Sequence, residues 1–161
     1  MTLDDAYANA AYIPDAERFP EMWQAKAEAF RLKSLSESGV AYGAGERQVM
    51  DVFLPDTVAK GLVVFVHGGY WLRFDRRYWS HLAQGALARG WAVAMPSYDL
   101  CPSVSIPQIT AQIAKAVGAA AARVAGPICL AGHSAGGHLV ARMAMPGVLP
   151  KGVATRLQHV L

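Results

Sequence analysis

Three short apolar runs, each followed by a segment with helical spacing, constrain the fold of this 161-residue chain more than any other feature. Continuous apolar residues over such lengths indicate strands buried on both faces, here Leu62–Val66, Trp91–Met95 and Ile128–Ala131. Apolar residues that recur every three or four positions predict helices over 76–89, 107–124 and 135–145. Strands that alternate with helices predict right-handed crossovers, and therefore an α/β fold with a doubly wound, mainly parallel sheet.

The part of the chain before these runs is expected to belong to the same domain. A length of 161 residues suits one domain, 1–161, with a sizeable core. Residues 1–46 form a lead segment with one predicted helix, from Phe19 to about Leu35, followed by a glycine-containing linker from Gly39 to Gly45. Residues 47–53 carry strand-forming side chains and predict a further strand.

Composition places the chain among globular proteins. Hydrophobic residues make up 53% and charged residues 17%, which is not typical of a disordered chain. No apolar run approaches the roughly 20 residues that span a bilayer. The N-terminus, Met1 to Asp5, is acidic and lacks a secretory signal pattern. Cys101 and Cys129 have no metal-type spacing, so reduced thiols and a cytoplasmic location are expected.

Charge is distributed unevenly, but not as in a nucleic-acid-binding protein. Residues 1–99 hold all 12 acidic and 10 basic residues, whereas residues 100–161 hold 5 basic residues and no acidic ones. The five are scattered among apolar residues, so they predict a solvated surface and neither a nucleic-acid nor a membrane partner. The sequence contains no dinucleotide, P-loop or metal-binding motif, so no cofactor and no metal are expected.

A short glycine motif, Gly132-His-Ser-Ala-Gly136, lies between the third predicted strand and a predicted helix. This Gly-x-Ser-x-Gly pattern in a strand–turn–helix context is that of a nucleophile elbow. Glycine is needed on both sides because the turn is so sharp that side chains there would collide. Ser134 is therefore predicted to be exposed at a helix N-terminus, where partial positive charge favours a developing anion.

A second glycine motif, His67-Gly-Gly-Tyr-Trp71, follows the first buried strand. A glycine pair after a strand is usually only a loop. A loop after this strand can, however, supply a backbone N–H group to an oxyanion hole. The second N–H group of such a hole comes from the residue after the nucleophile and lies opposite the first. The expected donors are the N–H groups of Gly68 or Gly69 and of Ala135.

These two motifs together resemble the arylformamidase branch of the α/β-hydrolases, which are relatives of carboxylesterases. The stretches Tyr7-Ala-Asn9 and Tyr12-Ile-Pro14 also resemble the lead segment of bacterial members. The resemblance implies cleavage of a carboxylic ester or an N-formyl arylamide through an acyl-enzyme on Ser134. It also leaves two roles open for Tyr70 and Trp71, which either line an aromatic substrate pocket or pack in the interior.

The sequence departs from this family in its catalytic triad. The expected order is Ser, then Asp or Glu, then His, yet no acidic residue follows Asp99. His138 lies on the helix that follows Ser134 and His159 lies near the terminus, so both are poor candidates for the base. Because this part of the chain lacks the triad acid and base, the sheet is expected to lack its C-terminal strands. Asp75 and Asp99 are kept as weak candidates for the acid, since a triad is defined by geometry and not by order.

The remaining histidines and a group of arginines have less specific roles. His67 and His133 flank the motifs and are expected to orient the loops, and His81 lies within a predicted helix. A short basic group, Arg73, Arg76 and Arg77, follows the second motif and either attracts an anionic substrate or is a solvated loop.

Two classes of function follow from these patterns. The first is a serine hydrolase acting on a small-molecule ester or amide, with acyl transfer to another acceptor as a variant that the sequence does not separate. The alternative is a catalytically incomplete α/β-hydrolase-like fragment or binding subunit. A homodimer stays open in both cases.

Overall fold

A six-stranded sheet forms the centre of the structure, a computed structural model that describes residues 3–161. Met1 and Thr2, at the start of the stretch that we expect to lack a secretory signal, lie outside that range. We number the strands along the chain as β1 Ser36–Ala41, β2 Val49–Phe53, β3 Leu62–Val66, β4 Ala92–Pro96, β5 Ile128–Gly132 and β6 Leu157–Val160.

The strand order confirms the predicted mainly parallel sheet. It is β1-β2-β4-β3-β5-β6, and β4, β3, β5 and β6 run parallel to one another. β1 pairs with β2, and β2 with β4, in antiparallel fashion. The carboxyl ends of β3 and β5 are neighbours, with Val66 opposite Gly132, so the two glycine motifs leave the sheet side by side.

Three long helices cover the sheet, which we number α1 Phe19–Arg31, α2 Ile106–Arg123 and α3 Ala135–Met143. Shorter helical segments are Leu3–Ala6, Asn9–Tyr12, Ala16–Arg18, Arg76–Tyr78, Ser80–Ala83, Gln84–Leu87 and Lys151–Ala154. Within residues 3–161, none of these helices is both long and apolar enough to cross a bilayer.

The two faces of the sheet carry separate apolar clusters because successive strand residues point to opposite sides. On one face, Val64 and Ala94 join the buried side chains of α2 and α3. On the other face, Val93 and Met95 pack with Trp79, and α1 contributes Trp23 and Phe30. Both faces of the central strands are therefore covered, as their continuous apolar sequences predict.

The lead segment differs from its prediction by one strand. The expected linker from Gly39 to Gly45 instead overlaps β1, whose residues are mostly exposed and polar and therefore carry little strand signal. The ladder between β1 and β2 shifts register between Glu37 and Val40, and Gly39 adopts φ 70° there. Such a bulge favours glycine because this φ is costly for a residue with a Cβ. The predicted helix also ends at Arg31 and not at Leu35.

The predicted helix 76–89 is absent as one continuous element. Three short segments, Arg76–Tyr78, Ser80–Ala83 and Gln84–Leu87, replace it. The Asp75 carboxylate accepts a hydrogen bond from the Arg77 N–H at 2.8 Å and caps the first segment. Trp79 then leaves helical geometry with φ −121° and ψ 0°, while its ring is buried in the apolar cluster. Burial of this ring takes precedence over helical continuity.

Candidate active site

Ser134 occupies the turn between β5 and α3 in a backbone conformation that side chains rarely adopt. Its φ is 54° and its ψ is −118°. Non-glycine residues at positive φ cost about 1–3 kcal/mol and concentrate at functional sites. The serine is exposed, and its hydroxyl makes no hydrogen bond within residues 3–161. The structure thus presents an exposed hydroxyl on a strained backbone turn at the N-terminus of a helix.

Gly132 and Gly136 make this sharp turn sterically feasible. A Cβ on Gly132 would lie 2.3 Å from the carbonyl oxygen of Gly136, and a Cβ on Gly136 would lie 2.0 Å from that of Val66. Both contacts are with backbone, which cannot move aside as a flexible side chain can. The collision predicted from the motif is therefore found on both sides of Ser134.

The loop after β3 passes directly against Ser134. A Cβ on Gly68 would lie 3.0 Å from the Ser134 Cβ and 2.6 Å from the His133 carbonyl oxygen. Within residues 3–161, the N–H groups of Gly68, Gly69 and Ala135 donate no hydrogen bond. The backbone donors named from the sequence are thus available on the two loops beside Ser134.

The buried, neutral side chain of His67 hydrogen-bonds to the loop that follows β3. Its Nδ1 lies 2.7 Å from the carbonyl oxygen of Gly68, and since that oxygen can only accept, the protonated Nδ1 donates. The ring stacks on Tyr98 with 4.3 Å between centroids. The Tyr98 hydroxyl in turn donates to the His67 carbonyl oxygen at 2.9 Å. In a trans peptide the N–H points opposite to the C=O, so the bond from His67 Nδ1 to the Gly68 carbonyl directs the Gly69 N–H away from the His67 ring.

Burial lowers the pKa of His67 to about 4, so the free energy of unfolding is expected to decrease as the pH is lowered. The unfolded chain binds this proton with a pKa of about 6.5. The stabilisation is therefore complete above pH 6.5 and is lost as the pH falls towards 4. Between pH 7 and pH 5 the loss is about 2 kcal/mol. Urea unfolding at the two pH values should show a smaller decrease in the free energy of unfolding for His67→Asn than for the wild type. Equal decreases would contradict the lowered pKa of His67.

A cavity of about 590 Å³ opens beside Ser134, and aromatic and small apolar side chains form most of its wall. The lead segment and α1 contribute more than half of the lining. Its residues are Tyr7, Ala8, Asn9, Ala10, Ile13, Ala16, Phe19, Pro20, Trp23, Gly69, Tyr70, Arg73, Phe74, Trp79, His133 and Ser134.

Tyr70 and Trp71, which the sequence treats as a pair, take different positions. Tyr70 lines the cavity, and its hydroxyl donates to the Tyr7 carbonyl oxygen at 2.8 Å, which fastens the lead segment to the loop. Trp71 does not line this cavity. Its ring meets His138 edge-on at 5.5 Å and packs against the α2/α3 side of the core. Both residues have positive φ, 55° and 58°, which turns consecutive side chains apart.

No histidine in the described chain forms a hydrogen bond with Ser134. His138 is turned towards Trp71. The His133 ring lies beside Trp79, at 5.9 Å between centroids, and lines the cavity. His159 lies in β6. Within residues 3–161, none of these three histidines is therefore placed to take a proton from Ser134.

The two carboxylates considered as triad acids are engaged elsewhere. Asp99 accepts hydrogen bonds from the side-chain amides of Gln48 and Gln112, both at 2.8 Å. Asp75 is bound by Arg77 at 2.7 Å. Burial alone would raise the pKa of Asp75, but the hydrogen bonds from Arg77 outweigh it and lower the pKa. Neither acid contacts a histidine, so the structure does not assemble a triad from them.

The sequence did not identify the far wall of the cavity. The sequence places Trp23 and Trp79 at apolar positions of two predicted helices, a pattern that fits a core equally well, and it gives Phe74 no role. Only the folded arrangement places these rings beside Ser134. Over residues 3–161, no group of His, Cys, Asp and Glu side chains is arranged to hold a metal ion.

Comparison with protein families finds one matching model. Residues 50–151, which include both glycine motifs, match the BD-FAE family. Among curated proteins, the chain is 37% identical over 116 residues to a kynurenine formamidase of Drosophila melanogaster, a match that covers 67% of this chain and 38% of the relative. It is 30% identical over 118 residues to a kynurenine formamidase of Salmo salar, which covers 69% and 40%. The chain thus spans about two fifths of these relatives.

Solved structures agree with the fold. A protein from Silicibacter sp. TM1040, described as a proposed thioesterase, superposes with a TM-score of 0.95 at 58% identity. This match covers 98% of the present chain and 61% of that one. Esterase B from Lactobacillus rhamnosis superposes with a TM-score of 0.62 at 22% identity, over 80% of this chain and 48% of the esterase. The second similarity concerns the fold alone.

Proposed function

The chain belongs to the BD-FAE family and has the α/β-hydrolase fold, and from this we propose that it is a serine hydrolase with Ser134 as its nucleophile. The observation that carries the proposal is the geometry of Ser134. The Ser134 hydroxyl is exposed on a strained backbone turn, at the edge of a largely apolar cavity. The N–H groups of Gly68, Gly69 and Ala135 lie on the two loops beside it and donate no hydrogen bond within residues 3–161. Each of these features has a use in acyl transfer.

In the proposed mechanism, the Ser134 hydroxyl oxygen attacks the substrate carbonyl carbon and gives up its proton to a general base. The carbonyl oxygen becomes an oxyanion that accepts hydrogen bonds from the N–H of Gly68 or Gly69 and from that of Ala135. The bond to the leaving alcohol or amine then breaks, and the leaving group takes a proton. An ester on Ser134 results, and water hydrolyses it to the carboxylic acid and free serine.

The mechanism also needs a histidine and a carboxylate to activate Ser134. Within residues 3–161, no histidine forms a hydrogen bond with the Ser134 hydroxyl, and neither Asp75 nor Asp99 contacts a histidine. The curated relatives extend well beyond the part that this chain matches. The activity of the whole protein is therefore proposed, and labelling of Ser134 tests whether this chain carries an activated nucleophile.

The proposed substrates are a carboxylic ester or an N-formyl arylamide. The names of the curated relatives support the formamide, and the aromatic wall of the cavity supports an aryl group in either substrate. The description of the Silicibacter protein adds a thioester as a third acyl donor. A cytoplasmic location and a homodimer stay parts of the proposal.

The absence of a base beside Ser134 favours a second candidate function. In this alternative, the chain is a catalytically incomplete α/β-hydrolase-like fragment or binding subunit that uses the cavity without covalent chemistry. The two candidates differ in one property, which is the reactivity of the Ser134 hydroxyl.

A fluorophosphonate probe tests this difference. We expect the folded protein to gain one adduct in its intact mass, and peptide mapping to place it on Ser134. N-formylkynurenine, short aryl esters and an aryl thioester would then identify the acyl donor. A folded sample that gains no adduct would reject the hydrolase proposal for this chain and support the binding subunit.

A further inference from the structure

Three arginines follow the glycine pair, and the structure gives one of them a different environment. The Arg76 guanidinium donates to the buried Asp51 at 2.7 Å, and that of Arg77 donates to Asp75 at 2.7 Å. Arg73 forms no ion pair and no side-chain hydrogen bond anywhere in residues 3–161. Two of the three positive charges are therefore compensated by the fold, whereas the third is not.

The aromatic neighbours of Arg73 fix its position at the cavity. Its guanidinium carbon lies 5.9 Å from the centre of the Tyr70 ring and 5.4 Å from that of the Phe74 ring. Stacking on aromatic faces uses the flat sides of a guanidinium and leaves its N–H donors free at the edges. The hydrogen bond from Tyr70 to Tyr7 holds one of these rings in place.

The cavity gives this charge few competitors. Among the lining residues, Arg73 is the one permanently charged side chain, and no carboxylate is present. Most of the other lining residues are aromatic or aliphatic, as Phe19 and Trp23 are. Arg73 itself is exposed, so water screens part of its charge, while the apolar lining beside it makes the attraction of an anion stronger than it would be at a fully open surface.

We propose that Arg73 is a specificity-determining residue, which binds a carboxylate carried by the ligand in the cavity beside Ser134. The ligand would have an apolar, preferably aromatic, middle part against Trp23 and Phe74. This inference rests on the proposed function only for the statement that the ligand is a substrate. The N–H donors along one edge of the guanidinium can bind both oxygens of a carboxylate at once. A neutral amide has only one such oxygen and carries no negative charge.

A pair of ligands of equal shape tests the proposal without any turnover. Binding of 4-phenylbutyrate and of its neutral amide can be followed by the fluorescence of Trp23 and Trp79, which line the cavity, and by calorimetry. We expect the wild type to bind the carboxylate about tenfold more tightly than the amide. Arg73→Gln should remove this preference, and Arg73→Lys should keep part of it because the charge stays while the two-pronged geometry is lost.

Arg89→Gln is the matched control. It removes the same charge from an exposed arginine that lies beyond Gln84–Leu87, near the start of β4 and therefore at the opposite end of the parallel strands from Ser134. We expect this variant to keep the full preference. Equal binding of carboxylate and amide by the wild type, or equal loss in both variants, would overturn the proposal. If the protein prefers the carboxylate but is not labelled by the fluorophosphonate, the role of Arg73 is supported and the hydrolase proposal is rejected. If it is labelled but shows no carboxylate preference, the hydrolase proposal is supported and the role of Arg73 is rejected.

Discussion

Replacing Ser134 with alanine is expected to abolish covalent capture of a fluorophosphonate, together with any ester turnover that proceeds through an acyl-enzyme on Ser134. Ser134 is the one serine among the cavity-lining residues and the one serine of residues 3–161 at positive φ. Intact mass after labelling measures the first effect, and initial rates with a short aryl ester measure the second. Thermal unfolding should change little because the hydroxyl has no hydrogen-bond partner within the described residues.

Ser103→Ala provides the comparison for this experiment. Ser103 is exposed in a turn and forms no side-chain hydrogen bond in the described part of the chain. We expect labelling and turnover at the wild-type level in this variant. Labelling that persists in Ser134→Ala, or that disappears in Ser103→Ala, would show that the probe reports a different nucleophile.

Gly136→Ala is expected to have the largest effect on stability. The added methyl group would lie 2.0 Å from the Val66 carbonyl oxygen and 2.7 Å from that of His67, both at the end of β3. Because the backbone of a central strand cannot move aside, we expect the free energy of unfolding to fall by about 3 kcal/mol or more. Urea unfolding followed by circular dichroism measures this change, and low yield of folded protein is the extreme form of the same result.

Gly137→Ala separates this clash from the general cost of changing a helical glycine. At Gly137 the nearest atom to a Cβ is the Gly132 carbonyl oxygen at 3.4 Å, which is an ordinary contact. Since alanine favours a helix over glycine by about 1 kcal/mol, stability should be unchanged or increased. Comparable destabilisation by both substitutions would contradict the steric explanation.

The sequence predicted those parts of the fold in which one local signal dominates. β3, β4 and β5 are apolar throughout because both of their faces are covered, and each was predicted to within a residue or two of its ends. β1 was missed because a mostly exposed edge strand has no apolar pattern to recognise. The helix predicted over 76–89 is divided into three short segments because burial of the Trp79 ring is a tertiary effect that periodicity does not contain.

The candidate site shows the same division. The position of Ser134 between two glycines follows from the motif alone, since the required turn is local. The separation of Tyr70 from Trp71 depends on consecutive positive φ values, and no residue type there indicates them. The roles of Arg76 and Arg77 depend on Asp51 and Asp75, and only the fold brings the first of these pairs together. Arg73 could be distinguished only after those pairs were known.

The hydrogen bond from Tyr70 to Tyr7 has a consequence for how this protein could diversify. Most of the cavity wall comes from one uninterrupted stretch, Tyr7 to Trp23, whereas Ser134 and the glycine loops come from the sheet. Chemistry and shape are thus encoded in separate parts of the gene. Exchange of the codons for residues 7–23 between homologues would give chimeras with a new cavity outline beside an unaltered reactive turn, provided that the main-chain carbonyl at position 7 stays within reach of the Tyr70 hydroxyl.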